Sequence, residues 1–117
     1  MMIYRFCFKI IAFITLFAII IGSLAPLPET PQYLGNDKLH HILGYGFLTF
    51  CFMQCIYSTR YRILSAIAIA LLGVLIECIQ PMFNRYFEYA DMLANTIGIM
   101  LGLVSGGLFY SMIKRLS

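Results

Sequence analysis

Residues 91–106, DMLANTIGIMLGLVSG, decide the fold. Offsets of four, three, four and four join Asp91, Asn95, Gly98, Gly102 and Gly106, so a helix would carry all five on one continuous face. The top of that face is polar and the rest is glycine. A G-x-x-x-G repeat lets membrane helices approach backbone to backbone, so the lower part reads as a packing seam and only the polar top as a candidate site. The apolar run around it, residues 92–113, exceeds the ~20 residues that a bilayer crossing needs.

Three further runs qualify or nearly qualify as spans: residues 6–24, 39–57 and 63–80. Pro26, Pro28 and Pro31 break the chain after the first, residues 58–62 form a polar turn after the second, and Pro81 with residues 84–88 ends the third. The composition agrees. A chain of 117 residues that is 62% hydrophobic and 11% charged, with mean hydropathy +0.89, is more apolar than a soluble core of this size requires. The expected fold class is all-α: one polytopic membrane domain over residues 1–117, a bundle of four transmembrane helices. The +3 net charge comes from scattered Lys and Arg, with no dense basic stripe, which excludes a nucleic-acid partner.

Those basic residues read as topology signals. Arg5 with Lys9, Arg60 with Arg62, and Lys114 with Arg115 fall on one side if all four runs span, and the positive-inside rule makes that side cytoplasmic. Both termini are then inside. Glu29, Asp37, Glu77, Glu88, Asp91, His40 and His41 all belong to the outer half. Ser23-Leu24-Ala25 resembles a signal-peptide cleavage site, but Pro26 behind it and the length of the first run favour an uncleaved helix. Cys7, Cys51, Cys55 and Cys78 lie inside apolar runs and read as small packing residues. No C-x-x-C pattern occurs, and neither metal nor cofactor is expected.

Ionisable side chains at membrane depth cost a few kcal/mol or more unless partnered, so their convergence marks a site. Asp37, His41 and Tyr45 recur every four residues and form a stripe descending ~12 Å along a helix. Asn36 or Asp37 would alternatively cap that helix. His40 points about 100° away from the stripe. Glu77 lies ~6 Å below Pro81 with Gln80 on nearly the same face, and Lys38, Arg85 and His41 are its available partners. In this reading His41, Glu77 and Asp91 are acid or base candidates, and Asp37, Lys38, Tyr45, Gln80, Arg85 and Asn95 are ligand-binding candidates. The bland alternative is an interhelical ion pair that fixes packing.

Together, Asp37-Lys38, His41, Tyr45, Glu77-x-x-Gln80, Arg85 and Asp91-x-x-x-Asn95-x-x-Gly98-x-x-x-Gly102 resemble the VanZ-like family of small bacterial membrane proteins. The resemblance runs from about Asp37 to Gly102. It departs at Asn84-Arg85, where relatives often carry Gly or Pro near the Arg. It implies a few-helix bundle in the bacterial cytoplasmic (inner) membrane and a cell-envelope role linked to tolerance of the glycopeptide teicoplanin.

Three functions are open to such a chain. The first is recognition or processing of an envelope component at the outer face, a lipid head group or lipid-linked glycan, with Arg85 and Lys38 meeting an anionic group. No serine nucleophile elbow, H-E-x-x-H helix or phosphate loop is present. The second is a non-enzymatic scaffold or partner subunit whose polar cluster only sets helix geometry. A proton or ion pathway comes third, because the cytoplasmic halves hold almost no ionisable residues apart from those at their ends.

Overall fold

The computed structural model describes residues 1–26 and 33–117, with side chains from residue 37 onward in the second stretch. Pro28, Glu29, Pro31 and Gln32 lie outside the described residues. Four long helices account for nearly all of the rest: α1 (Met2–Leu24), α2 (Tyr33–Cys55), α3 (Thr59–Ile79) and α4 (Tyr89–Leu116). A short 3-10 turn, Gln80–Phe83, follows α3. Helices satisfy their own backbone groups, as a chain this apolar must if lipid surrounds it. Among the described residues, α1, α3 with its 3-10 extension, and α4 are long and apolar enough to cross a membrane.

α2 is the least apolar of the four and the most enclosed. Tyr45, Leu48, Thr49, Cys51, Met53 and Gln54, all on α2, are almost completely buried. The other helices pack against this face and turn large apolar side chains outward, among them Phe13 and Phe17 on α1, Ile67 and Leu71 on α3, and Met100 and Val104 on α4, while Leu39, Leu43 and Phe47 form an exposed strip on α2 itself. A polar interior inside a greasy exterior inverts the soluble pattern. Such an extensive exposed apolar surface marks contact with membrane. The central position also explains the lower hydropathy of α2, because its neighbours shield it.

α2 and α4 make the most extensive helix pair. A Cβ added at Gly98 would collide with the Ile42 carbonyl oxygen, and one at Gly102 with the Gly46 carbonyl oxygen and with Thr49 Cβ at 2.8 Å. At Gly106 it would meet Met53 Cβ at 2.8 Å. The three glycines therefore form a seam in which backbones touch, as their spacing predicts. Gly46 answers from α2, where a Cβ would lie 3.0 Å from the Gly98 carbonyl oxygen.

Two local expectations change. α2 begins at Tyr33, so four helical residues precede Asp37; neither it nor Asn36 is the N-cap, and the Asp37 carboxylate faces other side chains. The third helix ends at Ile79, as expected just ahead of Pro81. That proline sits in the first positions of the 3-10 turn, where its missing N–H costs nothing, and the turn closes on Asn84 in the left-handed region at φ 58°. Cys7 and Cys78 are exposed on the outer surface, whereas Cys51 is buried as expected of a packing residue.

Candidate functional site

The start of α2, the end of α3, the 84–88 loop and the first turns of α4 meet at one end of the bundle. His41 is the centre. Its Nε2 lies 3.6 Å from Asp37 Oδ2, 3.9 Å from Glu77 Oε1 and 3.7 Å from Asp91 Oδ2. These distances are just beyond hydrogen-bond range. The other ring nitrogen, Nδ1, lies 2.6 Å from Asn95 Oδ1, so with the amide in this orientation Nδ1–H donates to it and Nε2 is the nitrogen that faces the carboxylates. The Tyr45 ring runs nearly parallel to the imidazole at 6.2 Å, with its hydroxyl buried and unpartnered.

Glu77 is fully buried, and neither carboxylate oxygen has a hydrogen-bond partner. Of its three expected partners only His41 comes near. Lys38 Nζ instead donates to Glu88 Oε2 at 2.7 Å and to Asp91 Oδ1 at 3.5 Å. Arg85 Nη2 donates to Asp37 Oδ1 at 3.4 Å, while its Nη1 donates to the carbonyls of Gly22 at 3.2 Å and Ala25 at 3.1 Å. Gln80 Nε2 reaches the Ser23 carbonyl at 3.0 Å. Gln80 and Arg85 thus satisfy carbonyls at the end of α1 that have no helical partner of their own. Their convergence with the cluster was expected, but this capping of another helix was not.

All nine residues singled out from the sequence come together at this end: Asp37, Lys38, His41, Tyr45, Glu77, Gln80, Arg85, Asp91 and Asn95. His40 is exposed beside them, on the wall of a cavity of about 430 Å³. That cavity opens between α1 and α2. Thr15, Ala18, Ile19 and Gly22 line one side, and Asp37, His41, Tyr45 and Arg85 the other.

Two contributors escaped the sequence reading. Glu88 holds Lys38, and its spacing of three to Asp91 and seven to Asn95 is a helical signal that could have found it. Gly73 lies one turn before Glu77, and a Cβ there would come 3.0 Å from Asn95 Nδ2 and 3.1 Å from Tyr45 Cε1. A glycine inside a helix is costly relative to alanine, which is a local hint of close packing.

Chemically, an imidazole fixed at one nitrogen and surrounded by carboxylates can relay a proton, anchor ion pairs or hold a cation. Asp37, His41 and Asp91 each present one ligand atom, all within 4.8 Å of one another. No metal was expected from the sequence, whose cysteines lack the spacing for one. No family model, curated protein or solved structure matches the chain. The fold and site define a class: a small, all-helical, multi-pass membrane protein with a buried acid-histidine centre.

Proposed function

We propose that this chain is a VanZ-like protein of the bacterial cytoplasmic membrane that recognises or processes a lipid head group or lipid-linked glycan at the outer face. The observation that carries this reading is the cavity between α1 and α2, whose walls are apolar on one side and bear Asp37, His41 and Arg85 on the other. Such a lining suits an amphiphile, with chain against α1 and head group at the polar centre. His41 lines the cavity and is the group placed to exchange a proton with it, with Glu77 and Asp91 behind its Nε2 as the acids or bases that would act through the imidazole. Arg85 and Lys38 meet an anionic head group only by sharing charge with the carboxylates they already hold.

In the proposed topology all four helices span, with both termini cytoplasmic. Arg5, Arg62 and the Lys114-Arg115 pair gather at the end opposite the acidic cluster, which the positive-inside rule places in the cytoplasm. Reporter fusions after Ser58 and Ser117 then give cytoplasmic signals, and fusions near Gln32 and Phe87 external ones. An external C-terminus overturns the arrangement.

The functional test is mass spectrometry of lipids and lipid-linked glycans retained by gently purified protein. Gly22→Leu is the matched variant, because Gly22 lines the cavity and a Cβ there meets nothing within 4 Å. The wild type retains an enriched head-group species, and the variant loses it at unchanged thermal stability. Retention of bulk lipid alone by both refutes recognition. Teicoplanin tolerance is the envelope phenotype to score in parallel.

A scaffold reading is favoured by one observation: Arg85 and Gln80 tie the end of α1 to the rest of the bundle. On that reading the cluster sets helix geometry and no ligand is retained.

A further inference from the structure

Three carboxylates around one imidazole nitrogen pose an electrostatic problem that the protein's own cations do not solve. Asp37, Glu77, Glu88 and Asp91 bring four formal negative charges, and Lys38 and Arg85 bring two positive ones. With every carboxylate ionised and the His41 ring neutral, the centre would hold two surplus negative charges, which bound protons or a bound cation must offset. A surplus of that kind within a membrane bundle calls for a counter-charge.

We propose that Asp37, His41, Glu77 and Asp91 form a binding site for a divalent transition-metal ion, with His41 Nε2 and one oxygen of each carboxylate as ligands. Four observations converge. Ligands about 2.1 Å from a tetrahedral ion lie ~3.4 Å apart, and the three carboxylate oxygens stand 3.6 to 3.9 Å from Nε2. Each oxygen is too far from Nε2 for a hydrogen bond and within about half an ångström of the ligand separation. The ligand atoms of Asp37, His41 and Asp91 lie within 4.8 Å of one another, so these carboxylates must draw in by about an ångström to close a shell. Glu77 is the second, independent sign: it has no solvent exposure, neither oxygen is hydrogen-bonded, and Oε1 points at the same nitrogen.

Asn95 supplies the third. Metal-bound histidines are held by a hydrogen bond from the other ring nitrogen, and the 2.6 Å contact from Nδ1 to Asn95 Oδ1 is that bond. It fixes the tautomer whose Nε2 lone pair can bind a cation. The fourth is charge, since a divalent ion supplies the same two positive charges that protons on His41 Nε2 and on Glu77 would supply. One imidazole with three carboxylates and no thiolate suits Zn²⁺ or Mn²⁺ and disfavours Cu(I). Asp37 and His41 also line the cavity between α1 and α2, which provides the entry path. The inference goes beyond the head-group reading and does not depend on it, because metal content is measured without any lipid.

The test uses the full chain in nanodiscs, stripped with chelator, reloaded separately with Zn²⁺, Mn²⁺ or Mg²⁺ and dialysed. Metal content by mass spectrometry and thermal melting are read together. A single Zn²⁺ or Mn²⁺ ion per chain is retained and raises the melting temperature, while Mg²⁺ is not retained. Asp91→Asn and His41→Gln each weaken retention at least about tenfold, and Asn95→Ala weakens it by ~10–100-fold through the imidazole orientation. Asp37→Asn, at the half-buried rim, decides the matter if the deeper variants fail to accumulate. His40→Gln, beside the site, and Cys55→Ala, at the far end of α2, both keep the ion, which separates the site from other donors in the chain. The proposal falls if the stripped wild type retains no ion, or if retention is the same in Asp37→Asn and Asp91→Asn as in the wild type.

Discussion

The two ends of the bundle handle buried charge in opposite ways. At the basic end the Arg5 guanidinium carbon lies 2.8 Å from the centre of the Tyr57 ring, and Arg62 lies 3.9 Å from that of Tyr110. Tyr4 donates to Gln54 at 2.6 Å, and Gln54 donates in turn to the Gly106 carbonyl at 2.9 Å. The unpartnered nitrogens there, Arg5 Nε and Arg62 Nη2, belong to guanidinium groups resting on aromatic faces. At the acidic end both Glu77 oxygens, the Tyr45 hydroxyl, Gln80 Oε1 and Asn95 Nδ2 have no partner at all. Buried polar groups left unsatisfied cost stability, so the first end is built to hold the fold and the second to receive something.

The comparison breaks most severely if its common spine is removed. Gly98→Leu and Gly102→Leu drive a side chain into the carbonyl oxygens of Ile42 and Gly46. Each should cost ~3 kcal/mol or more, since backbone cannot yield as a flexible side chain can. Both ends then fail together. Normal accumulation and an unchanged melting temperature in either variant would show that the seam does not organise the bundle.

A smaller and one-sided effect follows from Arg5→Met, which keeps the stem but removes the cation over Tyr57 and the 3.4 Å bond to the Tyr110 hydroxyl. Stability should fall by ~1–2 kcal/mol while any ligand or ion at the far end is retained with wild-type affinity. Loss of binding without loss of stability would reverse the roles assigned to the two ends.

Glu77→Gln sharpens the contrast. It preserves shape and removes a buried charge that has no hydrogen-bond partner, so stability should stay within about 1 kcal/mol of the wild type or rise. Function and envelope phenotype should be lost. A fall of ~3–5 kcal/mol would instead make Glu77 one half of a structural pair with His41. Smallest of all is Glu88→Gln, which breaks only the outer bridge and leaves the Lys38–Asp91 contact in place. The Lys38–Glu88 bridge is more than one-third exposed on both sides, at 38% and 37%, and should contribute no more than about 1 kcal/mol to stability by chemical or thermal denaturation.

Helical periodicity is a local property, and the sequence alone determined whatever depends on it. The apolar runs, the glycine face of α4, the Asp37-His41-Tyr45 stripe and the gathering of acidic groups at one end all follow from spacing and hydropathy. Tertiary structure decided which helix stands in the middle and which group answers which. α2 became the core through the face it turns to three greasier helices, with Leu39, Leu43 and Phe47 left exposed behind it, and its helix reached back past Asp37 to Tyr33, turning an expected cap into a site residue. Arg85 and Gln80 went to carbonyls about 60 residues away on α1, leaving Glu77 bare beside His41. No spacing rule predicts that allocation, because it depends on how closely and at what rotation the helix backbones meet. Gly46, Gly73 and Gly98 set that approach through contacts between residues remote in sequence.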